Sequence, residues 1–137
     1  MKHLHVISFQ NPYPPTYGGV IDVYFRIKAL HQLGWEITLH TFTYDDRKEL
    51  SAELKNITRR IYTYPRNRKF ADIFSLQPFI VKTRKCTELL HNLCNDDSPI
   101  LFEGLHTTSL LAHPKLKDRI KIVRAHNIEH NYYKGLA

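Results

Sequence analysis

The sequence predicts an α/β domain with a mainly parallel sheet of about five strands. Short apolar segments rich in β-branched residues alternate along its 137 residues with segments whose apolar residues recur at helical spacing. Residues 3–42 have the order strand, glycine-rich loop, helix, glycine, strand, which is a βαβ unit with a right-handed crossover. A chain of this length suffices for one domain.

The first βαβ unit is the most clearly patterned part of the chain. His3–Phe9 is an apolar segment that predicts a buried strand, and the following NPYPPTYGG is too rich in proline and glycine for regular structure. Gly34 stands where a helix normally ends, and Trp35–Phe42 alternates as a strand does. Between the loop and Gly34, apolar residues recur at helical spacing, namely Val20, Val23, Ile27 and Leu30.

The rest of the chain continues the alternation of strands and helices. We predict first a helix at Arg47–Lys55, capped by Asp45 or Asp46, and then a strand at Ile57–Tyr64. A long helix from Phe79 to Leu93 and a strand at Ile100–Phe102 follow. The last predicted elements are a short helix at Thr107–Ala112, a strand at Arg119–Arg124 and a helix after Asn127. The last helix is still in progress at Ala137. We therefore expect residues 1–137 to be one domain of a longer protein.

Composition and charge narrow the classes of function. No apolar run is long enough for a transmembrane helix or a signal peptide, so we expect a cytoplasmic protein. The net charge is +7, with basic residues concentrated in Arg59–Lys69 and Lys115–Arg124. No nucleic-acid-reading motif accompanies them, and we expect no nucleic-acid partner. The alternatives are a solvated surface or contact with an anionic substrate or membrane surface.

Ligands of open α/β sheets bind beyond the carboxyl ends of the strands. Three loops leave predicted strands there and carry polar residues, namely Gln10–Gly19, Glu103–Thr108 and Ala125–Asn131. In the first, Gly18 and Gly19 open a helix, so backbone N–H groups and the positive end of the helix dipole face the loop. This pattern predicts either a binding site for a phosphate or sugar or merely a tight strand-to-helix turn.

The other two loops carry histidines. His106 precedes a predicted helix, and Glu103 is either its partner or a strand-end carboxylate paired to a basic neighbour. His126 begins an H-x-x-E-H sequence, but it lies before the predicted helix start, so a metalloprotease site is rejected. His3 and His5 share one strand face without an evident third ligand, and we expect no metal site.

Three segments together resemble a known family. The opening HLHVISFQNPYPPTYGGVIDVYFRIKALHQLGWEITLHTF, and the later ILFEGLHTTSLL and IKIVRAHNIEHNYYKGLA, are similar to the N-terminal domain of retaining GT-B glycosyltransferases of the glycogen-synthase-like and mannosyltransferase-like group. The resemblance implies a Rossmann-like three-layer domain on the acceptor side of a cleft. A second domain, absent from this sequence, would bind most of the sugar nucleotide.

The resemblance also implies roles for particular residues. Gly18 and Gly19, with Tyr17 beside them, would approach the donor pyrophosphate and the acceptor. His106 would contact the transferred sugar, and His126 would line the cleft, where we also place Glu103 as a substrate-binding residue. No cofactor or metal is implied. The expected partners are a nucleotide-sugar donor, a glycan or lipid-linked acceptor, the protein's own C-terminal domain and the inner face of the membrane.

The resemblance therefore predicts a hexosyltransferase, such as a mannosyltransferase, that builds polysaccharide with retention of configuration, with this domain alone inactive. The alternative from a different class is a stand-alone basic binding module of flavodoxin-like topology, able to bind nucleic acid. A nucleotide-sugar epimerase is disfavoured because NPYPPTYGG lacks the GxGxxG pattern of dinucleotide-binding folds.

Overall fold

A five-stranded, entirely parallel sheet forms the centre of the fold. The computed structural model describes residues 2–8, 10–16, 18–43, 51–65 and 87–125. The strands are β1 (Lys2–Ser8), β2 (Trp35–Thr43), β3 (Arg60–Pro65), β4 (Ile100–Glu103) and β5 (Lys121–Arg124). Their order in the sheet is β3-β2-β1-β4-β5. The predicted α/β class with a parallel sheet of about five strands is therefore confirmed.

Helices cover both faces of this sheet. Among the described residues they are α1 (Gly18–Gln32), α2 (Ala52–Ile57), α3 (Thr87–Leu93) and two 3-10 helices at Leu105–Leu110 and Pro114–Leu116. One apolar cluster joins α1 and α2 to alternate residues of the central strands, among them Val6 and Leu39. A second cluster joins α3 and both 3-10 helices to the other face, through Ile7 and Phe102. The result is the expected three-layer, Rossmann-like arrangement.

The sheet order places β1 and β4 side by side at the centre. From β1 the chain moves outward to β2 and β3 on one side, and from β4 it moves outward to β5 on the other. The strand order therefore reverses between β1 and β4, which is the point where ligands bind in folds of this type. Ser8 and Glu103, the last residues of the two strands, are register partners at this point.

Several element boundaries differ from the sequence predictions. Helix α2 ends at Ile57, so β3 begins at Arg60 and not at Ile57. Within the described residues the helix is capped by Ser51, whose hydroxyl accepts from the Leu54 N–H at 3.2 Å; the proposed caps Asp45 and Asp46 lie outside the described residues. The helix predicted at Thr107–Ala112 is a 3-10 helix that begins two residues earlier.

The remaining differences concern the later part of the chain. Strand β5 begins at Lys121, because Arg119 belongs to a turn in which its N–H donates to Leu116 O at 3.1 Å. The described part of the long predicted helix is α3, and residues 79–86 lie outside the described residues. The final helix predicted after Asn127 also lies outside them.

Candidate functional site

Two loops meet at the carboxyl edge of the central strands. Helix α1 begins at Gly18, after the loop that leaves β1, and the 3-10 helix Leu105–Leu110 follows β4 directly. Between β4 and that helix, Gly104 has a φ of 89° and its N–H donates to Arg124 O at 2.7 Å. A positive φ favours glycine here, because other residues enter this conformation only with strain. The edge thus combines a helix amino terminus with the start of the segment that contains His106.

The surroundings of Gly18 are open. Its φ is not in the left-handed region, and a Cβ placed on it would meet no atom within 4 Å. Neither backbone conformation nor packing therefore requires glycine at this position. A tight-turn explanation accounts poorly for Gly18, whereas a ligand that approaches the backbone closely would account for it.

Glu103 forms a buried ion pair at the same edge. Its side chain is 1% exposed, and Oε1 accepts from Arg26 Nε on α1 at 2.5 Å. Of the two interpretations of Glu103, the carboxylate paired to a basic neighbour is the one that the structure shows. Arg26 Nη2, one of the other two guanidinium nitrogens, is buried and has no hydrogen-bond partner among the described residues. A fixed cation with spare donor capacity thus lies beside the carboxyl ends of the strands.

The structure describes some of the predicted site residues fully, one by its backbone alone and others not at all. Gly18, Gly19 and Glu103 are at the carboxyl edge, as described above. His106 is described by its backbone alone, in the first turn of the 3-10 helix. Tyr17 and His126 lie outside the described residues. The substrate-binding and catalytic roles of all these residues stay predictions.

The loop after β1 is held against α1. The Tyr13 N–H donates to the Asn11 side chain at 3.0 Å, and the Tyr13 ring packs 5.5 Å from that of Tyr24 on α1. The nearby carboxylate of Glu53 on α2 is the main cause that raises the pKa of Tyr13. These contacts hold the loop close to α1 at Tyr13.

A second candidate site lies at the opposite, amino edge of the sheet. A cavity of about 460 Å³ opens there between the first residues of the strands and the loop after α3. Most of its lining side chains are polar, and they include His3, His5, Thr38, Arg59, Tyr62 and Asp96. The strand residues of this cavity share the sheet face covered by α3, because side chains alternate between faces along a strand.

A chain of hydrogen bonds leads from this cavity into the core. Asp96 Oδ1 is 2.9 Å from His5 Nε2, His5 Nδ1 is 2.9 Å from His40 Nε2, and His40 Nδ1 is 2.8 Å from the Tyr64 hydroxyl. An ionised Asp96 only accepts, so His5 donates from Nε2 and accepts at Nδ1 from His40. The His40 Nδ1 then accepts from Tyr64, whose oxygen accepts from Asn92 Nδ2 at 2.9 Å.

Burial sets the protonation states in this chain. Removal from water is the main cause that lowers the pKa of His3 and His5, and it lowers that of His40, which is fully buried, well below the usual value. Burial acts on Asp96 in the opposite direction, but the Ser98 N–H and the His5 ring outweigh it and bring the pKa of Asp96 to about 2. Near neutral pH the chain thus holds neutral imidazoles and one carboxylate.

Sequence reasoning identified His3 and His5 as a possible pair but missed Asp96. The segment NDDSP that contains Asp96 has the composition of a helix-ending turn, which by itself indicates no ligand. The two residues His5 and Asp96 are 91 positions apart, and only the parallel pairing of β1 with β4 brings them together. A signal was nevertheless present, since a carboxylate just before a strand that pairs with β1 must lie near the start of β1.

The chain is similar over nearly its whole length to a bacterial protein. The chain is 30% identical, over 142 aligned residues, to an uncharacterized 44.6 kDa protein in the cps region of Klebsiella pneumoniae. The match covers 99% of this chain and 36% of that protein, so the chain spans about a third of its relative's length. No protein family and no solved structure matches the chain.

Among the residues that the structure describes, none of the helices is both long enough and apolar enough to cross a bilayer.

Proposed function

We propose that this chain is the N-terminal, acceptor-side domain of a retaining hexosyltransferase of the GT-B type, which acts in polysaccharide biosynthesis. The observation that carries the proposal is the common position of Gly18 and the His106 segment at the point where the strand order reverses. The cps region that holds the gene of the Klebsiella relative supports a role in capsule biosynthesis. The parallel three-layer fold is also the one that the family resemblance implies.

The proposed roles follow from the charges that develop during sugar transfer. The departing diphosphate gains negative charge, and the N–H groups at the amino terminus of α1 would stabilise it once it approaches Gly18. His106 would hold hydroxyl groups of the transferred sugar and orient its ring. Arg26 would add a positive charge close to the same edge. The second domain would supply the other contacts to the nucleotide.

The test uses the full-length protein, with labelled nucleoside-diphosphate hexoses as donors and a membrane extract as the source of lipid-linked acceptors. For the His106→Ala variant we expect transfer to fall by about 100-fold, the order of loss expected when a positioning group is removed. For Gly18→Ala we expect a higher KM for the donor with intact folding, because the added methyl group meets no protein atom and would meet the donor instead.

His31→Ala is the matched control, since His31 lies exposed in the last turn of α1, away from the carboxyl edge. Its transfer rate should equal that of the unmodified protein. Absence of transfer from every hexose donor, or full activity of both His106→Ala and Gly18→Ala, would contradict the proposal. Salt-sensitive binding of RNA or DNA without any transfer would favour the alternative of a basic binding module.

A further inference from the structure

Three side chains with metal-ligating atoms meet at the amino-edge cavity. His3, His5 and Asp96 each offer one such atom, and all three atoms lie within 4.8 Å of one another. His5 Nε2 is 2.9 Å from Asp96 Oδ1, and His3 Nδ1 is 3.4 Å from Asp96 Oδ2. His3 Nδ1 is also 2.7 Å from Ser98 Oγ, a hydrogen bond that a bound ion would replace. A tetrahedral ion with bonds of about 2.0–2.1 Å requires ligand atoms about 3.3 Å apart, so small side-chain rotations would create the site.

The other nitrogen of each imidazole already has a partner that would orient it as a ligand. His3 Nε2 is 2.7 Å from Thr38 Oγ1, and His5 Nδ1 is 2.9 Å from His40 Nε2. Histidine ligands of metals typically use their second nitrogen in this way, which defines the tautomer and the ring orientation. Asp96 is held likewise, by the Ser98 N–H at 2.9 Å.

We propose that His3, His5 and Asp96 bind a divalent transition-metal ion such as Zn²⁺, through Nδ1 of His3, Nε2 of His5 and a carboxylate oxygen of Asp96. Three protein ligands beside a solvent-accessible cavity leave a coordination position for water or for a further ligand. The site lies at the opposite edge of the sheet from the proposed transfer site. It is therefore independent of the proposed function.

The ligand set and its surroundings select the class of ion. Arg119 Nη2 is 3.5 Å from Asp96 Oδ1, and its guanidinium is fixed by hydrogen bonds to the carbonyl groups of Ser98 and Leu93. This fixed positive charge opposes any ion that is held mainly by charge, such as Mg²⁺ or Ca²⁺. Two imidazole nitrogens favour transition metals, whose bonds to nitrogen are stronger.

The hydrogen bonds behind His5 can accommodate the tautomer that metal binding requires. When an ion takes Nε2 of His5, the proton of that ring moves to Nδ1 and is donated to His40. His40 then carries its own proton on Nδ1 and donates it to the Tyr64 oxygen, so each imidazole keeps one proton, and the Tyr64 O–H rotates away from His40.

The experiment titrates the chelator-treated chain with Zn²⁺ in a calorimeter and with Co²⁺ in a spectrometer. We expect saturation at one ion per chain, visible Co²⁺ absorption bands of a site with fewer than six ligands, and a higher Tm with Zn²⁺. His3→Ala and Asp96→Asn should weaken binding at least tenfold. Asp96→Asn keeps an acceptor for the Ser98 N–H, so near-ultraviolet circular dichroism should show an intact fold.

Two nearby side chains serve as matched controls. His91 is exposed on α3, and Cys94 is an exposed thiol two positions before Asp96. His91→Ala and Cys94→Ser should bind Zn²⁺ as the unmodified chain does. The proposal is overturned if no saturable binding occurs, if folded His3→Ala and Asp96→Asn bind with unchanged affinity, or if either control variant loses the ion.

Discussion

The ion pair between Arg26 and Glu103 lies buried at the carboxyl edge. Glu103 is fully buried, whereas the Arg26 side chain is 23% exposed. Replacement of Arg26 by Met would keep the volume of the stem and leave the carboxylate without its 2.5 Å donor. We expect the free energy of unfolding at pH 7 to fall by about 3 kcal/mol in urea titrations, the usual loss when one partner of a buried pair is removed.

Arg59→Met provides the contrast for this prediction. Arg59 is 61% exposed and pairs with Glu36 at 3.2 Å, so water screens the interaction. Its loss should change the free energy of unfolding by less than about 1 kcal/mol. Equal effects of Arg26→Met and Arg59→Met would show that the Glu103 carboxylate does not depend on its partner.

The fully buried His40 makes stability depend on pH. Because burial lowers the pKa of His40, the folded state stays neutral where the unfolded chain, with a pKa near 6.5, takes up a proton. The stabilising effect is therefore complete above pH 6.5 and is lost as the pH falls below it, by up to about 1.4 kcal/mol per pH unit for one histidine. Urea titrations in EDTA between about pH 7.5 and 5 would measure this slope.

A His40→Phe variant should show a smaller slope over the same pH range, whatever its absolute stability. Asp96, with a pKa of about 2, stays ionised throughout this range and does not contribute. A His40→Phe slope equal to that of the unmodified chain would be evidence against a neutral buried imidazole.

At the scale of elements, the two glycines that flank α1 have opposite roles. Gly34 follows the helix with a φ of 93°, whereas Gly18 begins it without a left-handed φ. A Cβ would meet nothing within 4 Å at either position, so only backbone conformation distinguishes them. We expect Gly34→Ala to lower the free energy of unfolding by about 1 kcal/mol and Gly18→Ala to raise it by about 0.4–1 kcal/mol.

Thermal or urea unfolding of the two variants checks this contrast. Gly34→Asn is the matched variant, because asparagine tolerates a positive φ better than alanine, and it should lose less stability than Gly34→Ala. Destabilisation by Gly18→Ala as large as that by Gly34→Ala would mean that the start of α1 requires glycine for folding. The ligand-based explanation of Gly18 would then lose its support.

Element boundaries were less predictable than the elements themselves. A charged segment behind a capping aspartate indicated a helix before β3, but the Ser51 hydroxyl, within the described residues, determines where α2 begins. Similarly, the segment after β4 was predicted to be helical from Thr107. It forms a 3-10 helix that begins two residues earlier, directly after Gly104. One capping side chain or one glycine decides such a boundary, whereas periodicity is an average over several residues.

At the scale of the whole molecule, the excess of positive charge predicts an affinity for anionic surfaces. The net charge is +7, and Lys115 and Lys117 are among the exposed basic residues. In co-sedimentation we expect the chain to bind vesicles that contain phosphatidylglycerol, with about 1 kcal/mol from each basic residue near the surface. Raising the salt from about 0.1 M to 1 M should abolish binding, as the Debye length falls from about 10 Å to 3 Å.

Vesicles of phosphatidylcholine alone are the control and should bind no protein. Arg119 should not contribute, because its guanidinium is 7% exposed and donates to carbonyl groups inside the protein. Arg119 was counted in the basic cluster Lys115–Arg124, and its burial removes it from the exposed charge. Binding that is equal for both lipids or insensitive to salt would contradict an electrostatic membrane contact.

The sequence alone determined the fold class, because periodicity and turn residues are local properties that a chain displays before it folds. The strand–loop–helix–strand unit of β1, α1 and β2, and Gly34 as the end of α1, were predictable for this reason. Tertiary structure alone decided that Glu103 pairs with Arg26 and that Asp96 joins His3 and His5. Those contacts join residues 77 to 93 positions apart, and they exist only because β4 inserts next to β1 in the sheet.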